Sequence, residues 1–260
     1  MNIIRDYEIE NELKKIENMR IGAMTDHRTP ICITLDFSGS MESHKNKIKL
    51  ILKSMAQQLS VVGKRYFTLI IIGIYNSQSN VWFFGDLKDF DSEEFIDQLP
   101  SSCSGTTPLI NSFQIADEQL QKVSSACKKS EQLCTIPFFF FITDSLTTEN
   151  PENYTGILRE LSDDVQFNRK IIIQCVTSDN EKGLDFGGYH ILLDKNNSEK
   201  NIENCMKALR LASSTDVDAT SGFFNHISRP PKQNRVAYSD YLSNILSSNM
   251  LFYFNNLNEK

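Results

Sequence analysis

The apolar residues of this chain form two kinds of segment that alternate from residue 30 onward. Continuous runs rich in Ile, Leu and Phe, such as "ICITLDFS", "YFTLIIIGIY", "IPFFFFITD" and "KIIIQCVT", are typical of strands covered on both faces of a sheet. Between them lie segments with apolar residues three and four positions apart, as from Ile48 to Val62, which predict helices with one buried face. The alternation predicts an α/β fold with a mostly parallel sheet.

Shorter segments complete the predicted sheet. "NVWFF" follows the second buried strand closely enough to pair with it as a hairpin partner, and "YHILLD" predicts one further short strand. Helical patterns begin at Leu109 and recur near Ile157 and Ile202. We therefore expect a Rossmann-like three-layer α/β/α sandwich, with a mostly parallel central sheet and one short antiparallel edge strand. The four phenylalanines of "FFFF" belong to its core, and Trp82 and Phe84 are expected in the core rather than at an interface.

The chain divides into three predicted sections. Residues 1–29 are rich in Glu, Lys and Asn and predict an N-terminal extension that is partly helical. Residues 30–228 form the α/β domain. Residues 229–260 begin with "RPPKQNR", which predicts a linker because proline cannot continue a helix. They end in a C-terminal tail whose apolar residues, from Leu242 to Phe254, predict docking on the domain or on a partner.

Composition and charge narrow the class of protein. The 260 residues are 40% hydrophobic and 23% charged, with a net charge of −6, which is ordinary for a globular protein and gives no support for nucleic-acid binding. The longest apolar runs are too short to cross a bilayer as helices, so no membrane partner is expected. The N-terminus is charged where a signal peptide is apolar, and none of the 6 cysteines forms a Cys-x-x-Cys pair. We expect a cytoplasmic protein with reduced thiols.

Short oxygen-bearing side chains follow two of the predicted strands and precede one helix. They are Asp36, Ser38 and Ser40 in "LDFSGSM", Thr106 and Thr107 in "SGTTPL", and Asp144 at the end of "IPFFFFITD". Each alone is also typical of turns and helix caps. In a doubly wound sheet, however, ligands bind outside the carboxyl ends of the strands, where these segments meet. Carboxylates and hydroxyls without Cys or His suit a hard cation such as Mg²⁺.

A cation held by this donor set would keep much of its positive charge, because hydroxyls are neutral and only Asp36 and Asp144 offset it. Such an ion favours one more anionic oxygen, which a Glu or Asp of a protein partner can supply. The constellation therefore predicts a binding device.

The three motifs "DFSGSM", "SGTTPL" and the Asp of "FITDS" resemble the metal-ion-dependent adhesion site of von Willebrand factor A domains. The resemblance covers about residues 30–228 and is strongest to the bacterial TerY-like branch, which is associated with tellurium resistance and stress response. It implies the metal ligands Asp36, Ser38, Ser40, Thr107 and Asp144, with Mg²⁺ as the ion and Mn²⁺ or Ca²⁺ as alternatives. It also implies kinase- or phosphatase-like partners in a stress or defence system.

Two positions depart from the family pattern. "GTTPL" resembles "GGTPL", so Thr107 matches the family threonine and Thr106 replaces a glycine, which leaves the choice between the two threonines open. Ser145 stands where the family commonly has glycine after the aspartate. Two residues that follow the motif are not expected to bind the metal. We expect the side chain of His44 to be solvated, and Glu42 to be a carboxylate at the start of the next helix, where the helix dipole favours it.

Two other functions remain as alternatives to a binding module. A metal-dependent hydrolase or phosphatase could use Asp36 as its nucleophile, but that chemistry needs a second acid two residues later, where this chain has Ser38. A structural subunit with a vestigial metal site would bind its partner without metal. The chain has no Gly-x-Ser-x-Gly elbow and no phosphate-binding loop. We therefore expect that the protein is not an enzyme.

Overall fold

The computed structural model describes residues 3–19, 27–59, 66–134, 137–144, 170–175 and 189–193. Its helices are α1 (Asp6–Glu17), α2 (Lys45–Leu59), α3 (Ser92–Asp97) and α4 (Leu109–Lys129). Its strands are β1 (His27–Asp36), β2 (Tyr66–Tyr75), β3 (Gln78–Asp86), β4 (Leu133–Cys134), β5 (Phe138–Thr143), β6 (Lys170–Cys175) and β7 (Tyr189–Leu193). The helices expected near residues 157 and 202, and the docking tail at 229–260, lie outside the described residues.

The strands form one sheet in the order β3-β2-β1-β5-β6-β7, and β4 pairs with the start of β1. All described pairings are parallel except that of β3 with β2. The predicted mostly parallel sheet with one antiparallel edge strand is therefore confirmed. The edge strand is longer than "NVWFF" suggested, because its pairing with β2 continues to Gln78 and Asp86.

Alternate residues of the central strands enter two separate cores, which explains why their sequences are apolar throughout. On one face, Ile31, Ile33 and Leu35 of β1 pack in a cluster with residues of α2 and α3. On the other face, Cys32 lies in a cluster with residues of α4 and α1. The phenylalanines of β5 divide in the same way and are all buried, as predicted. The molecule is thus a helix–sheet–helix sandwich.

The N-terminal section is part of this packing. Ile9 and Ile16 of α1 are buried in the core that contains α4, and the backbone N–H of Ile4 donates to the carbonyl of Val81 at 3.0 Å. The predicted boundary at residue 30 falls inside β1, which begins at His27. No helix within the described ranges is long and apolar enough to cross a membrane.

A buried arginine fixes the amino end of β1. Arg28 donates hydrogen bonds to Thr68 at 2.9 Å and Gln132 at 3.2 Å and forms an ion pair with Asp86. The amide of Gln132 in turn donates to the carbonyl of Ile16 at 3.3 Å. These contacts join α1, three strands and the end of α4 at the pole opposite the carboxyl ends of the strands.

At the middle of the edge, Trp82 of β3 lies directly over Gly73 of β2. A β-carbon at Gly73 would come within 2.0–2.1 Å of the indole ring, so only glycine fits there. Trp82 also packs against Phe37 with ring centroids 5.7 Å apart. Trp82 and Phe84 are both buried, as predicted, and Trp82 supports the loop that follows β1.

Candidate metal-binding site

Asp36 is the last residue of β1, and both of its carboxylate oxygens accept hydrogen bonds. Oδ1 accepts from the backbone N–H of Ser38 at 2.9 Å, and Oδ2 accepts from the Thr143 hydroxyl at 2.7 Å. The carboxylate is completely buried. The orientation of the carboxylate is therefore fixed by the turn that follows β1 and by the neighbouring strand β5.

The two serines extend from this carboxylate toward the surface. Ser38 is buried, Ser40 is exposed, and their hydroxyl oxygens are 3.3 Å apart. Ser40 lies in a short 3-10 helix, Gly39–His44, which leads into α2. The Asp-x-Ser-x-Ser segment therefore presents oxygens from the interior to the solvent.

Asp144 follows β5, the strand beside β1. The register pairs Leu35 with Ile142, so the residues that follow, Asp36 and Thr143, lie side by side at the strand ends. Asp144 is also completely buried. Burial raises the pKa of Asp36 to about 6, the hydrogen bonds from Ser38 and Thr143 oppose this shift, and the negative charge of Asp144 adds to it. The negative charge of Asp144 makes the ionised form of Asp36 less favourable, and a cation between the two buried carboxylates would offset that repulsion.

The loop before α4 is attached to the Asp-x-Ser-x-Ser segment by backbone hydrogen bonds. Ser104 donates to the carbonyl of Phe37 at 2.9 Å, and Gly39 donates to the carbonyl of Gly105 at 3.0 Å. Thr107 is buried with 3% of its surface exposed, whereas Thr106 is exposed. The backbone N–H of Thr106 donates to the Ser77 hydroxyl at 2.9 Å, which ties the loop to the β2–β3 turn.

Gly105 makes this arrangement of loops feasible. Its φ of +86° lies in the left-handed region, and a β-carbon there would come within 2.2 Å of the Ser77 backbone nitrogen. The β2–β3 turn itself has positive φ at Asn76 and Ser77, and Asn76 donates to the carbonyl of Ser104 at 2.9 Å. Three loops therefore meet at one end of the sheet.

Glu42 has a second contact that the sequence did not predict. One of its oxygens accepts from the backbone N–H of Cys103 at 2.6 Å, and the other pairs with Lys45, which also donates to the carbonyl of Ser101 at 2.9 Å. The hydrogen bond from Cys103 lowers the pKa of Glu42. Glu42 thus joins the two loops.

The expectation for His44 is wrong. Its side chain is 6% exposed, not solvated, and neither ring nitrogen has a hydrogen-bond partner among the described residues. Burial lowers the pKa of His44, and the nearby charge of Asp144 opposes that shift. The 3-10 geometry at Gly39–His44 turns this residue inward, whereas the helical pattern of α2 alone suggested solvent.

The chemistry of the proposed ligands indicates which ion would fit. They are two carboxylates and three hydroxyls, which lie at or just after the end of β1, after β5 and in the loop before α4. Across the parts of the chain that the structure describes, no group of three or more His, Cys, Asp or Glu could hold a metal ion. A site for Zn²⁺ built from His and Cys is therefore absent from these parts, whereas hydroxyl and carboxylate oxygens suit Mg²⁺ or Mn²⁺.

Two residues that shape this site, Thr143 and Gly105, were not predicted from the sequence. Thr143 has the strand position of a core residue, and only its place directly before Asp144 could have suggested a contact with Asp36. Gly105 is the only glycine in "SGTTPL", which was a usable sign of unusual backbone geometry.

Similarity to known proteins is found among solved structures. No family model and no curated protein matches the chain. Among solved structures, the pilus adhesin SpaC from Lactobacillus rhamnosus GG is 11% identical, with a TM-score of 0.54 over 74% of this chain and 31% of that one. A von Willebrand factor type A protein from Catenulispora acidiphila is 13% identical (TM-score 0.48, 70% of this chain and 42% of that one). The SpRpn10 VWA domain is 15% identical (TM-score 0.43, 68% and 94%).

Two of these three solved structures are described as von Willebrand factor type A proteins or domains, and SpaC, with a TM-score above 0.5, shares the fold of this chain. At these identities the likeness concerns the fold alone. The chain spans 42% and 31% of the first two matched structures.

Proposed function

We propose that this protein is a metal-dependent protein-interaction module of the von Willebrand factor A type. Asp36, Ser38, Ser40, Thr107 and Asp144 would hold one divalent cation, with Mg²⁺ as the principal ion and Mn²⁺ or Ca²⁺ as alternatives. A Glu or Asp of the partner would complete the site. The observation that carries this proposal is the pair of buried carboxylates at adjacent strand ends, one of them with a pKa of about 6, beside hydroxyls that lead to the surface.

The exposures of the hydroxyl donors support an approach from one side. Ser40 is exposed while Ser38 and Thr107 are buried, so a partner would reach the cation past Ser40. The contact between Glu42 and Cys103 and the hydrogen bonds at Gly105 hold the surrounding loops in place. Because these loops are preorganised, binding of a cation and a partner would cost less conformational entropy.

A binding role also agrees better with Asp36 than a nucleophilic one. Both of its oxygens accept hydrogen bonds and the group is completely buried, so Asp36 would hold a cation from the interior, directly or through a water, more readily than it would attack a substrate in solvent. Hydrolysis would further require an acid at position 38, where the chain has serine. We keep the structural subunit with a vestigial site as the second candidate, because its partner binding would not depend on metal.

The cellular setting of this proposal comes from the TerY-like resemblance. This resemblance implies a bacterial tellurium-resistance, stress or defence system with a kinase- or phosphatase-like partner, and the charged N-terminus and the cysteines predict a cytoplasmic location.

Affinity purification tests the proposal with three baits: the natural chain, Asp36→Asn, and Thr34→Val as a matched buried control. We expect the same partner to be retained by the natural chain and by Thr34→Val in Mg²⁺, and to be lost with EDTA or with Asp36→Asn. Retention in EDTA would instead support the vestigial site. Phosphatase activity that Asp36→Asn abolishes would support the hydrolase.

A further inference from the structure

The end of α4 brings together two thiols that the proposed metal site does not use. Cys127 is buried in the last turns of α4, and Cys134 is half-buried in β4, whose pairing with β1 sets it beside Arg28. Neither sulfur is in a disulfide, and the two thiols are hydrogen-bonded to each other.

The backbone holds this contact. The Cys127 carbonyl accepts from the backbone N–H of Gln132 at 2.9 Å and from the Ser130 hydroxyl at 3.1 Å. Glu131 has a φ of 56°, which reverses the chain between helix and strand. The turn therefore brings Cys134 back to Cys127, and a disulfide would join two thiols that are already in hydrogen-bond contact.

The surroundings favour one ionised sulfur in the pair. The hydrogen bond from Cys134 lowers the pKa of Cys127, burial opposes this shift, and the positive charge of Arg28 adds to it. Cys103 differs, because burial raises its pKa to about 12. The thiolate is the reactive form of cysteine, so Cys127 is favoured as a nucleophile over Cys103.

We propose that Cys127 and Cys134 form an intramolecular disulfide on exposure to hydrogen peroxide. The Cys127 thiolate attacks one peroxide oxygen, an S–O bond forms as the O–O bond breaks, and the hydroxide that leaves takes up a proton to become water. The Cys134 sulfur then attacks the Cys127 sulfur. The S–S bond forms as the S–O bond breaks, and the second oxygen leaves as water with the Cys134 proton. Two electrons pass from the sulfurs to the peroxide.

Cys127 is fully buried and Cys134 beside it is half-buried, so hydrogen peroxide, which is little larger than water, would reach the Cys127 sulfur past Cys134. The pair lies at the opposite end of α4 from Thr107, about 30 Å away along the helix axis at 1.5 Å per residue. The inference therefore stands apart from the proposed metal site.

Peptide mapping of the full chain tests the disulfide directly, because trypsin cleaves after Lys128 and Lys129, between the two cysteines. The folded, reduced protein is treated with peroxide, blocked with N-ethylmaleimide and digested. We expect the peptides that contain Cys127 and Cys134 to be joined, with the loss of two hydrogen atoms in mass. Recovery of both as separate alkylated peptides would overturn the proposal.

Single variants test the order of the steps. In Cys134→Ser, dimedone should trap a sulfenic acid on Cys127. In Cys127→Ser, the labelling of Cys134 should be at least about tenfold weaker than that of Cys127 in Cys134→Ser, because the pKa of Cys134 is raised and its thiol stays protonated. Cys103→Ser should form the linked peptide as the natural chain does. Equal dimedone labelling of Cys127 and Cys134, or loss of the link in Cys103→Ser, would contradict the assignment.

Discussion

The hydroxyl of Thr143 on β5 donates a 2.7 Å hydrogen bond to Oδ2 of Asp36 on β1. Because Oδ1 is already held by the backbone of Ser38, this bond fixes the remaining freedom of the carboxylate. It also lowers the pKa of Asp36 and so opposes the effect of burial. A residue that contributes no metal ligand to the proposed site therefore orients its central one.

Replacing Thr143 with valine should show this support. At mildly alkaline pH we expect Thr143→Val to lower the free energy of unfolding by about 1.5–3 kcal/mol, because a buried carboxylate loses a hydrogen bond. Urea denaturation measures the change. Thr34→Val is the matched control on β1, since the Thr34 hydroxyl is buried and has no partner in the described part of the chain, so its loss should cost less than about 0.5 kcal/mol. Equal effects of the two substitutions would contradict the assigned role.

The two glycines of the facing loops should respond differently to alanine. A β-carbon at Gly105 would lie 2.2 Å from the Ser77 backbone nitrogen in a left-handed conformation, whereas at Gly39 the nearest contact is 3.6 Å. We expect Gly105→Ala to weaken Mg²⁺ binding at least tenfold and Gly39→Ala to change it little, because only the first displaces the loop that carries Thr107. Isothermal titration calorimetry gives both values. A Gly105→Ala protein with unchanged affinity would show that the loop does not position a ligand.

The same titration would show whether Thr106 or Thr107 is the metal ligand. Thr107 is buried at the base of the loop while Thr106 is exposed, so Thr107→Ala and Asp144→Asn should both weaken Mg²⁺ binding strongly. Thr106→Ala should bind like the natural chain. A similar loss at both threonines would mean that the loop register inferred from "GTTPL" is wrong.

The effect of metal on stability should depend on pH through Asp36. Its pKa in the metal-free protein, about 6, lies above the usual 3.8, so its contribution to stability is complete below pH 3.8 and is lost as pH rises through about 6. A metal ligand must be deprotonated, so stabilisation by Mg²⁺ should grow over the same interval. Thermal melts in Mg²⁺ and in EDTA across this range give the difference. A difference that does not change with pH would exclude Asp36 as the titrating ligand.

The fold was predictable where a single physical signal dominated. Runs such as that of β5 are apolar throughout because both faces of the strand are covered, so the sequence alone indicates a central parallel strand. The two-residue β4 and the six-residue α3 are too short to show a periodic pattern of apolar residues, so the sequence did not predict them. The helical pattern near the N-terminus indicated a helix, but not that Ile9 and Ile16 enter the core beside α4.

The candidate site shows the same division. The spacing of Asp36, Ser38 and Ser40 is local, and the carboxyl ends of parallel strands meet at one edge of the sheet, so the sequence predicts Asp144 and Asp36 at the same edge. That β5 lies directly beside β1 comes from the structure. Contacts that depend on side-chain packing could not be predicted in this way. His44 turns inward, Glu42 reaches Cys103 across 61 positions of sequence, and Thr143 reaches Asp36 across 107.

The central claim is that a divalent cation binds at Asp36, and thermal stability with and without metal tests it most directly. The natural chain and Asp36→Asn are melted in EDTA and in Mg²⁺, with Mn²⁺ in parallel. For the natural chain we expect a stabilisation of about 2.7 kcal/mol when Mg²⁺ is a hundredfold above its Kd, because the ion binds only the folded state. Asp36→Asn should remain folded in EDTA and gain nothing from the metal. Identical melts of the natural chain in EDTA and saturating metal, or an equal gain in Asp36→Asn, would contradict the account.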